Sequence, residues 1–201
     1  MIVTKNKHYS LTSKAFTTDY IDSLSAKILT SPYLGSSQLS DSFVRTRGFS
    51  IVFNRAGIKQ VENNFPFFIP YLKVALKQSC NVFYLNPLVL ESGGVVKPHI
   101  DCSISEYCQT IIAAKTVSVL YIKVPPDLEG GELILNDRER QIGKMIPETN
   151  TLLHFKGNLI HSVNRVKSQG VRVSLICEQY SLCNNKFRLV PEFNLKCNNK
   201  Y

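Results

Sequence analysis

The second half of this sequence consists of short apolar runs that alternate with turn residues, and this pattern constrains the fold more than any other feature. From about residue 82 the runs are about 5 to 8 residues long, which is the length of typical strands. They are Val82–Leu90, a run that reaches His99–Asp101, Val117–Val124, Gly131–Leu135, Thr151–Phe155, Ile160–Val166 and Val171–Tyr180. The turns between them are Gly93-Gly94, Pro125-Pro126, Asn136-Asp137, Gly157-Asn158 and Ser168-Gln169-Gly170. Many short strands at this spacing predict a mostly β sandwich or jelly roll.

The part of the chain before residue 82 mixes helix and strand patterns. Thr17-Thr18-Asp19 offers N-cap candidates, and apolar residues then follow at helical spacing. Residues 43–53 look like a strand, and residues 67–79 have the apolar face of a second helix. These N-terminal helices would flank the double sheet on an outer face. The sequence has no repeat, low-complexity tract or linker, so we expect a single domain over 1–201, with N-terminal support in 1–81, a β core in 82–182 and a tail in 183–201.

Composition indicates an ordinary globular protein, because 44% of the residues are hydrophobic and 19% are charged. No apolar run approaches the roughly 20 residues that a membrane-spanning helix needs. The N-terminus shows no apolar signal segment. We therefore expect a cytoplasmic protein with no membrane partner. The six cysteines form no Cys-x-x-Cys pair, which argues against a structural zinc site.

The net charge of +9 lies mostly at the two ends of the chain. Residues 1–60 carry eight basic and three acidic residues, residues 61–180 carry twelve and eleven, and residues 181–201 carry four and one. A basic surface can recruit nucleic acid or small anions, or it can serve solubility alone. For most of these side chains we favour solvated positions on helix faces.

Two histidines and one aspartate form a candidate metal site. His99 and Asp101 are two apart, so on a strand their side chains share a face, and His161 follows 60 positions later in another predicted strand. Two histidines and a carboxylate on one face of an octahedron are the facial triad of non-haem Fe(II) oxygenases. The chain has only four histidines, and two of them fall in this pattern. The alternative is that His161 is a hydrogen-bonded core histidine.

The sequence after His161 adds a second constellation. It predicts a hairpin whose return strand carries Arg172 and Ser174 on one side, because the two residues are two apart. An inward guanidinium is costly unless it meets an anion. A dicarboxylate bound to the metal would supply that anion and be clamped at its far end. The alternative is an arginine that reaches the barrel rim and pairs with a surface acid.

Taken together, these motifs resemble the core of the Fe(II)/2-oxoglutarate-dependent dioxygenases, in the prolyl 4-hydroxylase-like branch. The resemblance covers about Leu88 to Tyr180 and rests on motifs in the family's order. They are Gly93-x-x-x-x-x-His99-x-Asp101, Val119-Leu-Tyr121-Ile, Glu129-Gly-Gly-Glu-Leu133, His161 and Arg172-x-Ser174. The resemblance implies a double-stranded β-helix, which is a cupin-like jelly roll.

The family resemblance also implies the cofactors and the roles of particular residues. Fe(II) would be held by His99, Asp101 and His161, with molecular oxygen and 2-oxoglutarate as co-substrates and ascorbate as an aid. Arg172 and Tyr121 would hold the distal carboxylate of 2-oxoglutarate, with Ser174 assisting. The implied reaction hydroxylates an amino acid, a peptidyl residue or a small natural-product intermediate while 2-oxoglutarate becomes succinate. Many relatives have a tyrosine nine residues before the first ligand, where this chain has Leu90.

Four other functions fit parts of the pattern. A nucleic-acid demethylase of the alkylation-repair type would suit a basic chain, but that branch has a second arginine that Val173–Glu178 does not supply. We therefore do not expect a nucleic-acid substrate. A halogenase would replace Asp101 by Ala or Gly. A cupin-like isomerase or metal-free binding module would not need Arg172 and Ser174, and a structural role would leave the triad unused.

Two further arginines suggest a substrate contact outside the core strands. Arg45 and Arg47 are two apart on a predicted strand, so both can face the mouth of the barrel. We therefore predict a small-molecule or peptide substrate with an anionic group that one of them meets. The alternative is that both face solvent.

Overall fold

The computed structural model describes residues 2–36 and 42–197. These residues form mostly β structure with a few short helices, as predicted. The strands are β1 (Ile2–Lys5), β2 (Tyr9–Ser13), β3 (Gly35–Ser36), β4 (Phe43–Gly48), β5 (Ser50–Asn54), β6 (Val82–His99), β7 (Thr116–Lys123), β8 (Leu133–Asp137), β9 (Arg140–Met145), β10 (Thr151–Lys156), β11 (Ile160–Val163), β12 (Arg172–Tyr180) and β13 (Phe193–Lys196). The helices are α1 (Thr18–Leu29), α2 (Ile58–Asn64), α3 (Ile69–Ala75), α4 (Ser105–Cys108) and α5 (Asn184–Phe187), with a 3-10 turn at Pro66–Phe68.

The strands pair antiparallel in the order β1-β2-β10-β7-β12-β6-β11-β8-β9. Strands β4 and β5 also pair with β6, and β3 and β13 pair with β4 and β5, respectively. The long strand β6 has two sets of partners. Its residues 82–90 pair with β12 on one edge and with β4 and β5 on the other, whereas residues 96–99 pair with β11. Because β6 belongs to both parts of the sheet, the sheet curls around an interior. The jelly-roll architecture is confirmed.

The prediction of a turn at Gly93-Gly94 is wrong, because both glycines lie within β6. Gly93 has a φ of 81°, and the four residues Glu91–Gly94 oppose the single residue Arg45 of β4. Extra residues on one strand of a pair form a bulge that bends the strand. The bulge therefore bends β6, and the strand continues across the fold. A turn would have reversed the direction of the chain.

The predicted hairpin between the strands of His161 and Arg172 is also wrong. Strand β11 pairs with β6 and β8, whereas β12 pairs with β6 and β7. Both strands run antiparallel to β6, but they pair with opposite ends of it. Residues 164–171 therefore join two strands that follow one another along the same edge of β6, opposite β4, and the chain does not reverse direction between them.

Several element boundaries differ from the sequence prediction. The expected strand over 43–53 is split at Phe49 into β4 and β5, and the expected helix over 67–79 ends at Ala75. Residues Asn136 and Asp137 end β8, and the turn follows them. Strands β1, β2 and β9 add to the sheet although the sequence did not indicate them.

Strand alternation divides the core into two layers. One face of β12 points into the barrel with Arg172, Ser174 and Glu178, and the other face packs against the helices with Leu175 and Cys177. The helix predicted after Thr17 is confirmed as α1, and the Thr17 hydroxyl accepts a hydrogen bond from the Tyr20 N–H. Helix α1 buries its apolar stripe in the outer layer. None of the helices in residues 2–36 and 42–197 is long and apolar enough to cross a membrane.

Candidate active site

The three predicted metal ligands meet at one end of the barrel. His99 is the last residue of β6, and it is directly paired with His161 on β11. Asp101 lies in the loop after β6, so the loop and not strand alternation directs its carboxylate. One donor atom from each of the three residues lies within 4.8 Å of the others.

Backbone carbonyl groups orient the two imidazole rings. His99 Nδ1 lies 2.8 Å from the Lys97 carbonyl oxygen, and His161 Nδ1 lies 3.2 Å from that of Leu159. A carbonyl oxygen only accepts hydrogen bonds, so each Nδ1 is a donor and carries the ring proton. In a neutral ring each Nε2 is then left with a lone pair, and both Nε2 atoms lie 3.3 Å from the Asp101 carboxylate. This is the tautomer that a metal ligand needs.

The convergence of these donor atoms fits a divalent cation. Asp101 is buried, and its Oδ2 makes no hydrogen bond within the described residues. Burial alone would raise the pKa of Asp101, but His161 and His99 lower it well below its usual range. Burial likewise would lower the pKa of His161, and Asp101 raises it. Two metal–nitrogen or metal–oxygen bonds of about 2.1 Å at a right angle separate their donors by about 3 Å, close to the spacing found here.

Aromatic rings pack against both histidines. The ring centroids of Phe43 and His99 are 5.4 Å apart, and those of Phe155 and His161 are 5.0 Å apart, both edge to face. Packing of this kind holds each imidazole in one rotamer. The ligand geometry is therefore fixed before a cation binds.

The triad opens into a cavity of about 500 Å³ inside the barrel. Its walls are mostly apolar, and the titratable groups are few. Those that line the cavity are Tyr84, His99, Asp101, Cys102, Glu106, His161, Arg172, Glu178 and Lys196. A concave apolar cavity with a small number of placed polar groups is typical of a small-molecule site.

Arg172 is the buried cation of this cavity, with only 3% of its surface exposed. Its Nη1 donates to the Gly131 carbonyl over 2.8 Å, and its guanidinium carbon lies 5.0 Å from the Tyr121 ring centroid. No carboxylate lies within 4.0 Å of it in the part of the chain that the structure describes, and its Nε makes no hydrogen bond there. Burial lowers the pKa of Arg172. An uncompensated buried cation is costly, and an anion in the cavity would offset that cost.

Two hydroxyl groups near Arg172 also lack partners. Tyr121 on β7 and Ser174 on β12 are paired residues of neighbouring strands, and both are fully buried. Neither hydroxyl makes a hydrogen bond among the residues that the structure describes. Burial raises the pKa of Tyr121, and the nearby Arg172 opposes that rise. The chain thus leaves one guanidinium and two hydroxyl donors free toward an anion.

Arg45 and Arg47 lie at the bulge of β6 and do not line the cavity. Arg45 has a φ of 50° and donates to the Ser92 carbonyl over 3.2 Å, and Arg47 pairs with Glu91 at 2.8 Å. The register of β4 shifts between Val44 and Thr46, so the alternation that grouped the two arginines does not hold there. An anionic substrate group at these residues stays a prediction.

His154 is a partly buried strand residue that is hydrogen-bonded within the sheet. Its Nδ1 lies 3.0 Å from the Ser118 hydroxyl on the adjacent strand. Burial, and secondarily Lys77, lower the pKa of His154 to about 4. It does not belong to the cluster of His99, Asp101 and His161.

Sequence reasoning missed two polar residues of the cavity, Glu178 and Asn86. Both face the interior and are 3% exposed. Glu178 lies six residues after Arg172, so the same period-two alternation places both in the barrel. That signal was available in the sequence for Glu178. Asn86 sits in an apolar strand run, and an isolated amide there gives no comparable signal.

No protein-family model matches the sequence, and no curated protein sequence matches it either. Solved structures do match. The prolyl-4-hydroxylase of Pseudomonas putida superposes with a TM-score of 0.61 at 16% identity, covering 88% of this chain and 95% of that one. A prolyl hydroxylase from Trichoplax adhaerens, in complex with a hypoxia inducible factor peptide, gives 0.59 at 14%, covering 92% and 87%.

HygX from Streptomyces hygroscopicus, with nickel, 2-oxoglutarate and hygromycin B bound, gives a TM-score of 0.55 at 12% identity, covering 87% of this chain and 84% of that one. These likenesses define the fold. The chain has the double-stranded β-helix fold of 2-oxoglutarate/Fe(II) oxygenases. Among its neighbours are structures of prolyl hydroxylases, so the resemblance found in the sequence is confirmed at the level of the fold.

Proposed function

We propose that this chain is an Fe(II)- and 2-oxoglutarate-dependent oxygenase that hydroxylates its substrate. One observation carries the proposal. The buried guanidinium of Arg172, which no acid of the described residues compensates, lines the same cavity as His99, Asp101 and His161. A metal site alone would not need the arginine, and an anion site alone would not need the triad.

The triad would hold the iron and leave positions free for the co-substrates. When they are bound, Fe(II), oxygen and 2-oxoglutarate supply an oxidation in which 2-oxoglutarate becomes succinate and CO₂ and a C–H bond of the substrate becomes C–OH. The Lys97 and Leu159 carbonyl groups keep the ring proton of each histidine on Nδ1. Ascorbate would aid turnover.

Arg172, Tyr121 and Ser174 would anchor the distal carboxylate of 2-oxoglutarate. Their polar atoms are buried, and a charge-assisted hydrogen bond in such surroundings is stronger than one in water. Tyr121 is held under the guanidinium, so both donors are oriented before the anion arrives. The apolar walls would exclude water from the reacting groups.

The substrate proposed is an amino acid, a peptidyl residue or a small natural-product intermediate, met in the cytoplasm. The neighbouring structures support this range, because one holds a hypoxia inducible factor peptide and another holds hygromycin B. A cavity of about 500 Å³ accommodates a side chain or a small molecule beside the co-substrate. We do not propose a nucleic-acid substrate, because Val173–Glu178 offers no second arginine beside Arg172.

Calorimetry under argon tests the proposal first. One Fe(II) should bind per chain, and 2-oxoglutarate should bind to the iron-loaded protein. Succinate formation is then measured with iron, ascorbate and a panel of candidate substrates. Replacing Arg172 by Ala should raise the KM for 2-oxoglutarate at least tenfold, because a charged hydrogen bond contributes about 1.5–3 kcal/mol.

Arg140→Ala is the matched control, since Arg140 is an exposed arginine of β9. It should leave the KM unchanged. An unaltered KM in Arg172→Ala would remove the co-substrate assignment. A protein that binds neither iron nor 2-oxoglutarate would be a binding module with this fold and not an oxygenase.

A further inference from the structure

The cavity contains a second polar group of residues, at the end away from Arg172. Glu178 on β12 is paired with Tyr84 on β6, and Asn86 lies two residues farther along β6 on the same face. Six residues of β12 separate Glu178 from Arg172, or about 20 Å along a strand at about 3.3 Å per residue. We call Tyr84, Asn86, Ser103 and Glu178 the acidic subsite; all four line the cavity.

The hydrogen bonds of the acidic subsite are arranged for an ionised carboxylate. The Ser103 hydroxyl donates to Glu178 Oε1 over 2.6 Å, and the Ser103 N–H donates to Oε2 over 3.1 Å. The Tyr180 hydroxyl also donates to Oε2. Several donors on one carboxyl group favour its charged form.

No cation of the described residues compensates that charge. Glu178 is in no ion pair there, and the lysine and arginine that line the cavity are committed elsewhere. His161, whose pKa Glu178 helps to raise, faces Asp101. Lys196 pairs with Glu106, and Arg172 lies at the opposite end. Burial, and then the charge of Asp101, raise the pKa of Glu178 to about 8. Without a ligand the carboxyl group therefore holds a proton near neutral pH, and a cation bound beside it would stabilise the ionised form that the donors orient.

Asn86 gives a second, independent sign of a ligand. Neither its amide oxygen nor its amide nitrogen makes a hydrogen bond in the described structure, and the residue is 3% exposed. Burial and then Glu178 raise the pKa of Tyr84 to about 12, and Asn86 is one of the side chains that oppose this rise. Buried polar groups are nearly always satisfied, so an amide facing a cavity without partners indicates a ligand that supplies them.

The balance of charges in the cavity indicates whether that ligand is a cation or an anion. This step rests on the function proposed above. The two charges of Fe(II) and the one of Arg172 offset the Asp101 carboxylate and the two carboxylates of 2-oxoglutarate. The Glu178 carboxyl group is left over: it stays protonated when no cation faces it, and its ionised form needs a cation. We propose that the acidic subsite is the substrate-recognition site of this cavity and that it takes a cationic nitrogen group, an ammonium or a guanidinium.

In this arrangement the cationic N–H groups donate to Glu178 and to the Asn86 amide oxygen. Anchoring at this end leaves the remainder of the substrate in the cavity that the triad also lines. Glu178 thus selects the substrate without entering the reaction. A neutral or anionic counterpart of the same shape would leave the buried carboxylate unpaired, which is the basis of strong discrimination.

Matched probe pairs test this inference by binding alone. The protein is loaded with Ni(II) and 2-oxoglutarate and titrated calorimetrically with Nα-acetyl-lysine N-methylamide and its Nε-acetylated form. The second pair is Nα-acetyl-arginine N-methylamide and the corresponding citrulline compound. In at least one pair the cationic member should bind at least tenfold more tightly, and the pair identifies ammonium or guanidinium as the preferred group.

Glu178→Gln should abolish that preference, and Glu139→Gln, an equal charge change in the exposed turn after β8, should keep it. Absence of any preference in the unmodified protein overturns the inference, and so does a preference that survives in Glu178→Gln. If Glu178→Gln does not fold, Asn86→Leu decides, because no hydrogen bond of the described fold depends on that amide. It should reduce the preference at least threefold, and an unchanged preference counts against the site.

The same samples separate this inference from the proposed function. Binding of Ni(II) and 2-oxoglutarate is measured before the probes are added. If Ni(II) and 2-oxoglutarate bind but no preference for a cationic probe appears, only the proposal for the acidic subsite is wrong. If neither binds, the oxygenase proposal is wrong, and the probe titration of the unloaded protein still tests the acidic subsite.

Discussion

His99 and His161 are paired residues of β6 and β11, and the centroids of their rings lie 4.3 Å apart. The pairing follows from the bulge at Glu91–Gly94, which bends β6 so that its last residues leave β12 and join β11. The two histidines are 62 positions apart in the sequence. The ligand pair is thus a product of the curled topology, and a flat sheet with β11 and β12 as a hairpin would not form it.

Replacement of His161 by Ala should abolish stoichiometric metal binding and turnover. Two of three ligands then remain, and the loss of one first-row metal ligand reduces affinity by orders of magnitude. The measurement is the rise in melting temperature on addition of Fe(II) under argon, which should vanish in the variant. The fold should persist, as judged by circular dichroism.

His8→Ala serves as the control for that variant. His8 precedes β2, away from the triad, and its substitution should leave the metal response unchanged. A His161→Ala protein that binds and turns over like the unmodified chain would contradict the triad assignment.

The anionic substrate contact predicted for Arg45 and Arg47 is tested by their double replacement with Gln. Weaker substrate affinity with an unaltered KM for 2-oxoglutarate would support the contact. The stability of the protein should change little, because the Arg47–Glu91 pair is about half exposed and such pairs contribute roughly 0–1 kcal/mol.

Glu91→Gln is the matched variant, since it releases Arg47 without removing a cation. It should keep or improve affinity for an anionic substrate. If neither protein differs kinetically from the unmodified chain, the two arginines serve only the β6 bulge.

Local patterns predicted the strands of the core well, because burial on both faces of β6, β7 and β12 requires continuous apolar runs. The three candidate ligands were also readable, since few residue types bind iron and the chain has few histidines, and the structure brings the three together. Arg172 and Ser174 followed from alternation on one strand, and the structure places them on one face.

Other features depend on partners distant in sequence. The dipeptide Gly93-Gly94 predicts a turn when only its neighbours in sequence are considered. It forms a bulge because β6 pairs there with β4. The direction of Asp101 depends on a loop, where period-two alternation does not apply. Arg45 adopts a positive φ opposite the bulge, where the period-two alternation of a strand does not apply.

The stability of the metal-free protein should fall as pH rises through the titration of Glu178. Burial, and then Asp101, raise the pKa of this carboxyl from 4.5 to about 8, so between these values the folded state holds a proton that the unfolded state has lost. The contribution of Glu178 is therefore fully present below about 4.5 and is lost as pH rises through about 8. Urea unfolding with a chelator present, at several pH values, measures the slope.

Glu178→Gln should flatten that slope, because the amide does not titrate. Glu139→Gln, in an exposed turn, should retain it. Identical slopes in all three proteins would show that Glu178 is not the group that holds the proton.

Arg172→Met should raise the stability of the ligand-free protein while it weakens the binding of 2-oxoglutarate. The guanidinium is 3% exposed, has no carboxylate partner in the described chain and leaves its Nε without a hydrogen bond. Replacement of a buried charge by an apolar side chain of similar length removes a desolvation cost of several kcal/mol, and such changes are often neutral or stabilising by about 1–4 kcal/mol. The loss of the Gly131 hydrogen bond offsets about 1 kcal/mol of that gain.

Two melting curves for each protein measure this trade-off, one without ligand and one with the metal and 2-oxoglutarate. For Arg172→Met the first melting temperature should equal or exceed that of the unmodified protein, and the increase on adding 2-oxoglutarate should be lost. Arg140→Met, at an exposed position of β9, should change neither value. A variant that is clearly less stable without ligand, yet keeps its response to 2-oxoglutarate, would mean that Arg172 supports the barrel and not an anion.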